Sequence, residues 1–343
     1  MVPKKTWQEW KATGLLDSLV LLGEQIKDGF SFPVPKIGPI KNLYWVGMGG
    51  SGLSCWLIDS FWQEKLKRPI FVYQQPKVAK FISKKDLVVV SSYSGNTAET
   101  ISFYQQAIKK KINLLGIVGG GQLEEELRKN NTPFLKINSC LNPCGQPRMG
   151  VGFGLGFLAK IIFQLRLIDK QTKKEFKKEL NSFDFKKLLK FKTKILKKTA
   201  KVLKNRLTVL FASHQLEGLA HFYQNQINEN AKQMASFFVF PELNHHLLEG
   251  LSKLGRNRER LGVVLLATGK ESKEEKTRIR LTEEWLKNQQ IPNVTVTLIG
   301  KTLIEKLFWG IGFGEKLSLV LAYFNQVDPL KIPQVEWFKK KLS

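Results

Sequence analysis

Short apolar runs rich in β-branched residues alternate along this chain with longer stretches whose apolar positions recur at helical spacing. "NLYWVGMGG" (42–50) ends in glycines and runs into "SGLSCWLIDSFWQEKL", which has helical periodicity. "IFVYQQ" (70–75) reads as a strand, "DLVVV" (86–90) as the next, with "NTAETISFYQQAIKKK" as its helix. "INLLGIVGGG" (112–121) followed by "EEELRKN" repeats the unit. Beyond a lysine-rich helical region the alternation resumes: "RLTVLFAS" (206–213), a helix over 215–235, "FFVFPEL", "LGVVLLAT" (261–268), a helix over 274–289 and "VTVTLIG" (294–300). Residues 303–342 read as helical with a break at "VDPLKIP". Strands alternating with helices predict mainly parallel sheets covered on both faces.

The predicted fold is therefore α/β with two domains of similar architecture, rather than a close internal sequence repeat. The expected division is residues 1–155 with a leading helix, a helical connector over 156–204, and residues 205–343 with closing helices. An apolar content of 43% describes an ordinary globular protein. No uninterrupted apolar run reaches the roughly 18 residues of a membrane span. The N-terminal apolar patch is interrupted by Asp17 and Glu24 and lacks a small-residue cleavage site, so no signal peptide is expected.

Cys55, Cys140 and Cys144 are too few and too poorly spaced for a structural zinc site. They read as reduced thiols of a cytoplasmic protein. The net charge of +26 raises nucleic acid as a partner. Much of the excess, however, lies in the lysines of 173–204, between apolar positions such as Phe185, Leu188, Ile195 and Leu196 at helical spacing. That is the solvated face of amphipathic helices, and arginine, the usual reader of bases, is scarce. The charge points instead to a field that draws in anionic substrates.

Two strand ends carry candidate chemistry. "GMGGSG" (47–52) supplies glycines where backbone can approach a ligand, with Gly50 and Ser51 beside the ligand. "SSYSGNT" (91–97) supplies more hydroxyls than a turn requires, among them Ser92, Ser94 and Thr97. Exposed N–H groups and the positive end of a helix dipole favour an anion there, and each hydroxyl adds a donor to a phosphate oxygen. Helix capping is the ordinary alternative for such serines and threonines. The first motif is neither a complete dinucleotide fingerprint nor a Walker A loop.

These two turns resemble the signature turns of sugar isomerase (SIS) domains, which bind phosphosugars. "PRMGVG" (147–152), "NQINENAKQMA" (225–235), "PELNHH" (241–246) and "VDPLKIPQVEWFKKKL" (327–342) are similar in kind and order to the bifunctional phosphoglucose/phosphomannose isomerases. The resemblance implies metal-independent, cofactor-independent interconversion of glucose 6-phosphate and mannose 6-phosphate with fructose 6-phosphate through an enediolate. It assigns the proton shuttle between C2 and C1 to Glu229, ring opening to His245 with help from Lys339, and charge stabilisation at the sugar oxygens to Arg148. His246 follows where the family often has asparagine and could share the role of His245. Gly150 stands where the family usually has a larger residue, and the run Lys339–Lys341 leaves the register of the lysine open. The resemblance further implies a cytoplasmic homodimer whose sites are shared between chains, with a hexose 6-phosphate as substrate and neither membrane nor nucleic acid as partner. A non-catalytic phosphosugar sensor on the same scaffold is the alternative.

Overall fold

A computed structural model describes residues 2–190 and 194–342. The leading segment forms three helices, α1 (Lys4–Ala12), α2 (Leu15–Val20) and α3 (Leu22–Ser31). The first run of alternation gives β1 (Leu43–Val46), α4 (Gly50–Trp62), β2 (Ile70–Tyr73), β3 (Leu87–Ser92), α5 (Ala98–Lys109), β4 (Asn113–Val118), α6 (Gly121–Lys129) and β5 (Phe134–Lys136). Helices α7 (Val151–Gln164), α8 (Lys170–Ser182) and α9 (Lys194–Leu203) follow. The second run gives β6 (Leu207–Ala212), α10 (Glu217–Ala231), β7 (Ala235–Val239), α11 (Leu243–Ser252), β8 (Leu261–Ala267), α12 (Lys273–Asn288) and β9 (Asn293–Thr297), closed by α13 (Leu303–Phe324) and α14 (Pro333–Leu342).

The chain divides into two compact units, Leu16–Phe185 and a second made of Lys186–Ser343 with Met1–Leu15. The stretch 156–204, expected as a connector, is thus shared out between them at Phe185. The first unit holds a parallel sheet in the order β2-β1-β3-β4-β5, and the second a parallel sheet in the order β7-β6-β8-β9. Both follow the flavodoxin-like pattern, in which the chain moves out on one side of its first strand and then crosses to the other. The two α/β halves expected from the alternation are therefore the observed architecture, and their strand orders suit the SIS type that the resemblance implies.

The central strands explain the continuous apolar runs. Every residue of β1 and β3 is buried, as helices on both faces of a parallel sheet require. Tyr44, Val46, Val88 and Val90 join Phe103, Tyr104 and Leu123 of the flanking helices in one cluster. Phe211, Val263 and Leu265 do the same with Ile279 and Leu286 in the second unit. In α8 the buried positions are led by Phe176 and Leu180, and in α9 by Leu196, Ala200 and Leu203, with lysines such as Lys177, Lys178, Lys197 and Lys198 exposed between them. The lysine-rich region is therefore amphipathic, as its spacing predicts; residues 191–193 within it lie outside the described residues. Helix α13 is the one described helix long and apolar enough to cross a membrane, but 83% of its apolar window is buried inside the protein.

Candidate active site

Register places the candidate turns together. Leu43–Val46 of β1 pair with Leu87–Val90 of β3, so the segments after both strands leave the same carboxyl edge. The two strands flank the point where the strand order reverses, which is where open α/β sheets bind ligands. Ser51 ties the turns together, its Oγ accepting from Tyr93 N at 3.0 Å. That bond uses a lone pair and leaves the hydroxyl proton free to donate.

Within the second turn the hydroxyls have distinct tasks. Ser92 is fully buried; its Oγ accepts from Gly95 N at 3.1 Å and pairs with Thr97 Oγ1 at 3.0 Å. Ser92 therefore shapes the loop from within. Ser94 is exposed and accepts from Asn96 N at 3.2 Å, again keeping a proton to donate. Thr97 occupies the N-cap of α5 but makes no side-chain cap bond, so capping does not explain this hydroxyl. Gly95 sits at φ +70°, and a Cβ there would lie 1.6 Å from Gly120 O, so only glycine fits. The turn is pinned to the next one by Leu123 N donating to Gly95 O (2.8 Å) and Gln122 N donating to Asn96 Oδ1 (3.0 Å).

Gly50 opens α4, and a Cβ there would lie 2.9 Å from Arg148 N. The missing side chain lets the segment carrying Arg148 close onto the amino end of α4. Arg148 is 1% exposed and its Nη1 donates to Gln146 Oε1 at 2.8 Å. Gly50, Ser51, Ser91, Tyr93, Pro147 and Gly150 line one cleft of ≈ 260 Å³, its open mouth included. The cleft thus has the start of one helix, free hydroxyl protons and a buried cation beside it, a combination suited to a phosphate ester.

Two supports of this cleft, Asn142 and Gln25, carry no motif in the sequence. Asn142 Nδ2 donates to Tyr93 OH at 2.7 Å and to Gln146 O at 2.9 Å. Burial raises the pKa of the Tyr93 phenol, against the bond from Asn142, which lowers it. Gln25, on α3 and fully buried, donates through Nε2 to Leu141 O (2.9 Å) and Met149 O (3.0 Å) and accepts from Gly152 N (3.2 Å). It staples the segment on either side of Arg148. The only sequence signal for these residues is a polar side chain in an otherwise apolar helix, or in a loop of small residues.

The remaining candidates lie on separate elements of the second unit. Glu229 is half-buried near the carboxyl end of α10, and its neighbours are tethered. Asn228 Oδ1 accepts from Ala235 N at 2.9 Å, and Asn230 Nδ2 donates to Ser318 Oγ at 2.8 Å. Lys232, left-handed at φ +50°, donates through Nζ to Glu229 O (2.9 Å) and Asp328 O (2.5 Å). The "NENAK" motif thus fixes the backbone that presents Glu229. His245 and His246 are both exposed on the first turn of α11, while the preceding Leu243 is buried and Asn244 Nδ2 donates to Thr282 Oγ1 at 3.0 Å. Lys339 lies on α14, where every residue is exposed. Among the described residues, no group of three or more His, Cys, Asp or Glu side chains is placed to hold a metal ion.

Two parallel sheets of this order, with a hydroxyl-lined turn at the first switch point, fit the SIS-type fold, and similarity to known proteins agrees. Residues 193–342 match the family model of the bacterial phospho-glucose isomerase C-terminal SIS domain. The C-terminal domain of glucosamine-fructose-6-phosphate aminotransferase from Francisella tularensis shares the fold, with a TM-score of 0.71 at 14% identity, covering 96% of this chain and 99% of that one. The bifunctional phosphoglucose/phosphomannose isomerase of Caldicellulosiruptor bescii is 29% identical over 96% of this chain and 99% of its own length. The enzyme of the same name from Thermoplasma volcanium is 28% identical over 95% and 99%. Over nearly its whole length the chain is thus similar to bifunctional phosphoglucose/phosphomannose isomerases, and its C-terminal part matches an SIS domain.

Proposed function

We propose that this protein interconverts glucose 6-phosphate and mannose 6-phosphate with fructose 6-phosphate through an enediolate, without a metal or cofactor. The observation that carries this reading is the cleft between the turns after β1 and β3, in which Ser51 joins the two turns while Gly50 admits Arg148 to their edge. The hydroxyls of Ser51, Ser94 and Thr97 and the free N–H groups of the first turn of α5 hold the phosphate, in a loop that Ser92 shapes from inside. Arg148 stabilises negative charge on the enediolate oxygens. Glu229 moves the proton between C2 and C1. His245 exchanges a proton with the ring oxygen, and Lys339 assists ring opening.

A homodimer with shared sites goes with this reading, the partner chain contributing His245. Support comes from the exposure of His245 and from the uncovered Trp337 (60% exposed) and Phe338 (57%) of α14. A cytoplasmic setting suits both the substrate and the three free cysteines. The test is incubation with fructose 6-phosphate in heavy water, followed by NMR. Glucose 6-phosphate and mannose 6-phosphate carrying deuterium at C2 are expected. Binding of the sugar phosphate without product or exchange would replace the enzyme with a sensor.

A further inference from the structure

The second sheet repeats the strand order of the first, so the turn after β8 (residues 268–272) stands in its own unit where the turn after β3 stands in the other. The two turns treat their donors in opposite ways. After β3 the N-cap residue Thr97 makes no side-chain cap bond, and the hydroxyls bond within the turn, Ser92 with Thr97 and Gly95 N, and Ser94 with Asn96 N. After β8 the donors are already taken. Glu271 Oε1 accepts from Thr268 Oγ1 at 2.8 Å, from Gly269 N at 3.1 Å, and closely from Thr268 N. Ser272 and Glu275 complete a reciprocal capping box at the start of α12, Glu275 N donating to Ser272 Oγ (3.1 Å) and Ser272 N to Glu275 Oε2 (3.2 Å).

A cation stands behind this turn. Lys306 of α13 is 6% exposed and donates through Nζ to Thr268 O (2.6 Å) and Leu298 O (2.9 Å). Burying an ammonium is costly unless opposite charge is near. Burial and the neighbouring Lys270 lower its pKa, while Glu271 and Glu305 raise it. Successive backbone N–H groups, a hydroxyl and a buried cation are the components of an anion nest, and a carboxylate of the chain itself is seated in it.

We infer that the turn after β8 is an anion nest sealed by Glu271, so that each chain takes up one phosphosugar, at the turns after β1 and β3, and none at the equivalent turn of the second unit. The count of one phosphosugar rests on the proposed function; the seal does not. The side chain of Glu271 is the determinant. Its removal should convert an internally satisfied turn into one that accepts an external anion.

The test is isothermal titration of wild type, Glu271→Ala and Glu271→Asp with inorganic phosphate, with folding checked by circular dichroism. The quantity read is the difference in phosphate bound per chain between variant and wild type. Glu271→Ala is expected to gain one further equivalent, and Glu271→Asp, which keeps a carboxylate, to gain none. If Glu271→Ala does not fold, Glu271→Gly, which also removes the sealing oxygen, is titrated in its place, with the same gain expected. A folded variant that binds no more phosphate than wild type overturns the seal, as does a wild type in which this turn already holds phosphate. A wild type that binds no fructose 6-phosphate at all contradicts the proposed function, yet leaves the difference between the proteins to decide the seal.

Discussion

At the scale of single residues, the cradle depends on what glycine omits as much as on what serine supplies. The positive φ of Gly95 and the carbonyl of Gly120, 1.6 Å from where a Cβ would sit, leave alanine no position without moving two turns. Gly95→Ala should therefore lower stability by roughly 2–3 kcal/mol and weaken fructose 6-phosphate binding more than it weakens folding. Thermal unfolding with and without the sugar phosphate checks this: an unchanged ligand-induced shift in Tm would contradict a phosphate role for the turn. "SSYSGNT" announces a cradle in the sequence, but not how its hydroxyls divide the work. Ser92 is turned into the loop and Ser94 out of it, because the turn after β4 pins the segment through Gly95 and Asn96. That contact joins positions far apart in the chain, which local patterning does not encode.

At the scale of elements, the alternation of apolar runs and helical periodicity made both sheets legible, since buried parallel strands must be apolar throughout. The pattern gave no signal for β5, whose residues Phe134–Lys136 are too few to show a period. Gln25 was equally silent, although α3 uses it to fix the segment bearing Arg148. Replacing it by methionine keeps the bulk but leaves Leu141 O, Met149 O and Gly152 N without that partner, a loss of roughly 2–4 kcal/mol. If Gln25 positions Arg148, Gln25→Met should lower kcat while KM stays close to wild type. A fall in stability with kcat intact would leave Gln25 a purely structural residue.

Helix α13 carries a buried carboxyl, Glu315, which is 1% exposed. Burial raises its pKa well above the ordinary 4.5. Because the folded-state value is the higher one, the protein binds more protons folded than unfolded between the two values. The stability this group contributes is full below pH about 4.5 and is lost as pH rises through the folded pKa. Glu315→Gln should therefore be more stable than wild type at neutral and mildly alkaline pH, with the gap closing as pH falls towards the unfolded value. Chemical denaturation of both proteins across that range measures it; a gap that does not vary with pH would show that Glu315 does not titrate on unfolding.

At the scale of the whole molecule, the chain combines a strongly positive charge with a cleft built for an anion. The exposed lysine faces of α8 and α9 carry much of that charge, and such a field draws in anions. The residues proposed to bind the anion stand out in the sequence because they cluster in two short motifs. Glu229 could not be separated from an ordinary surface glutamate by spacing alone. Its distinction lies in tethered neighbours, Asn228 held by Ala235, Asn230 by Ser318 and Lys232 by Asp328, and only the folded chain brings these together.

The central claim is that Glu229 carries the proton in an isomerisation performed on a phosphate-anchored sugar. The most direct measurement compares wild type and Glu229→Gln in heavy water with fructose 6-phosphate, following deuterium at C2 and product by NMR while sugar-phosphate binding is titrated separately. The account predicts that the variant binds fructose 6-phosphate as wild type does and loses isomerisation and exchange together, by a factor on the order of 10²–10⁴. A variant that exchanges deuterium and forms product at the wild-type rate would contradict it.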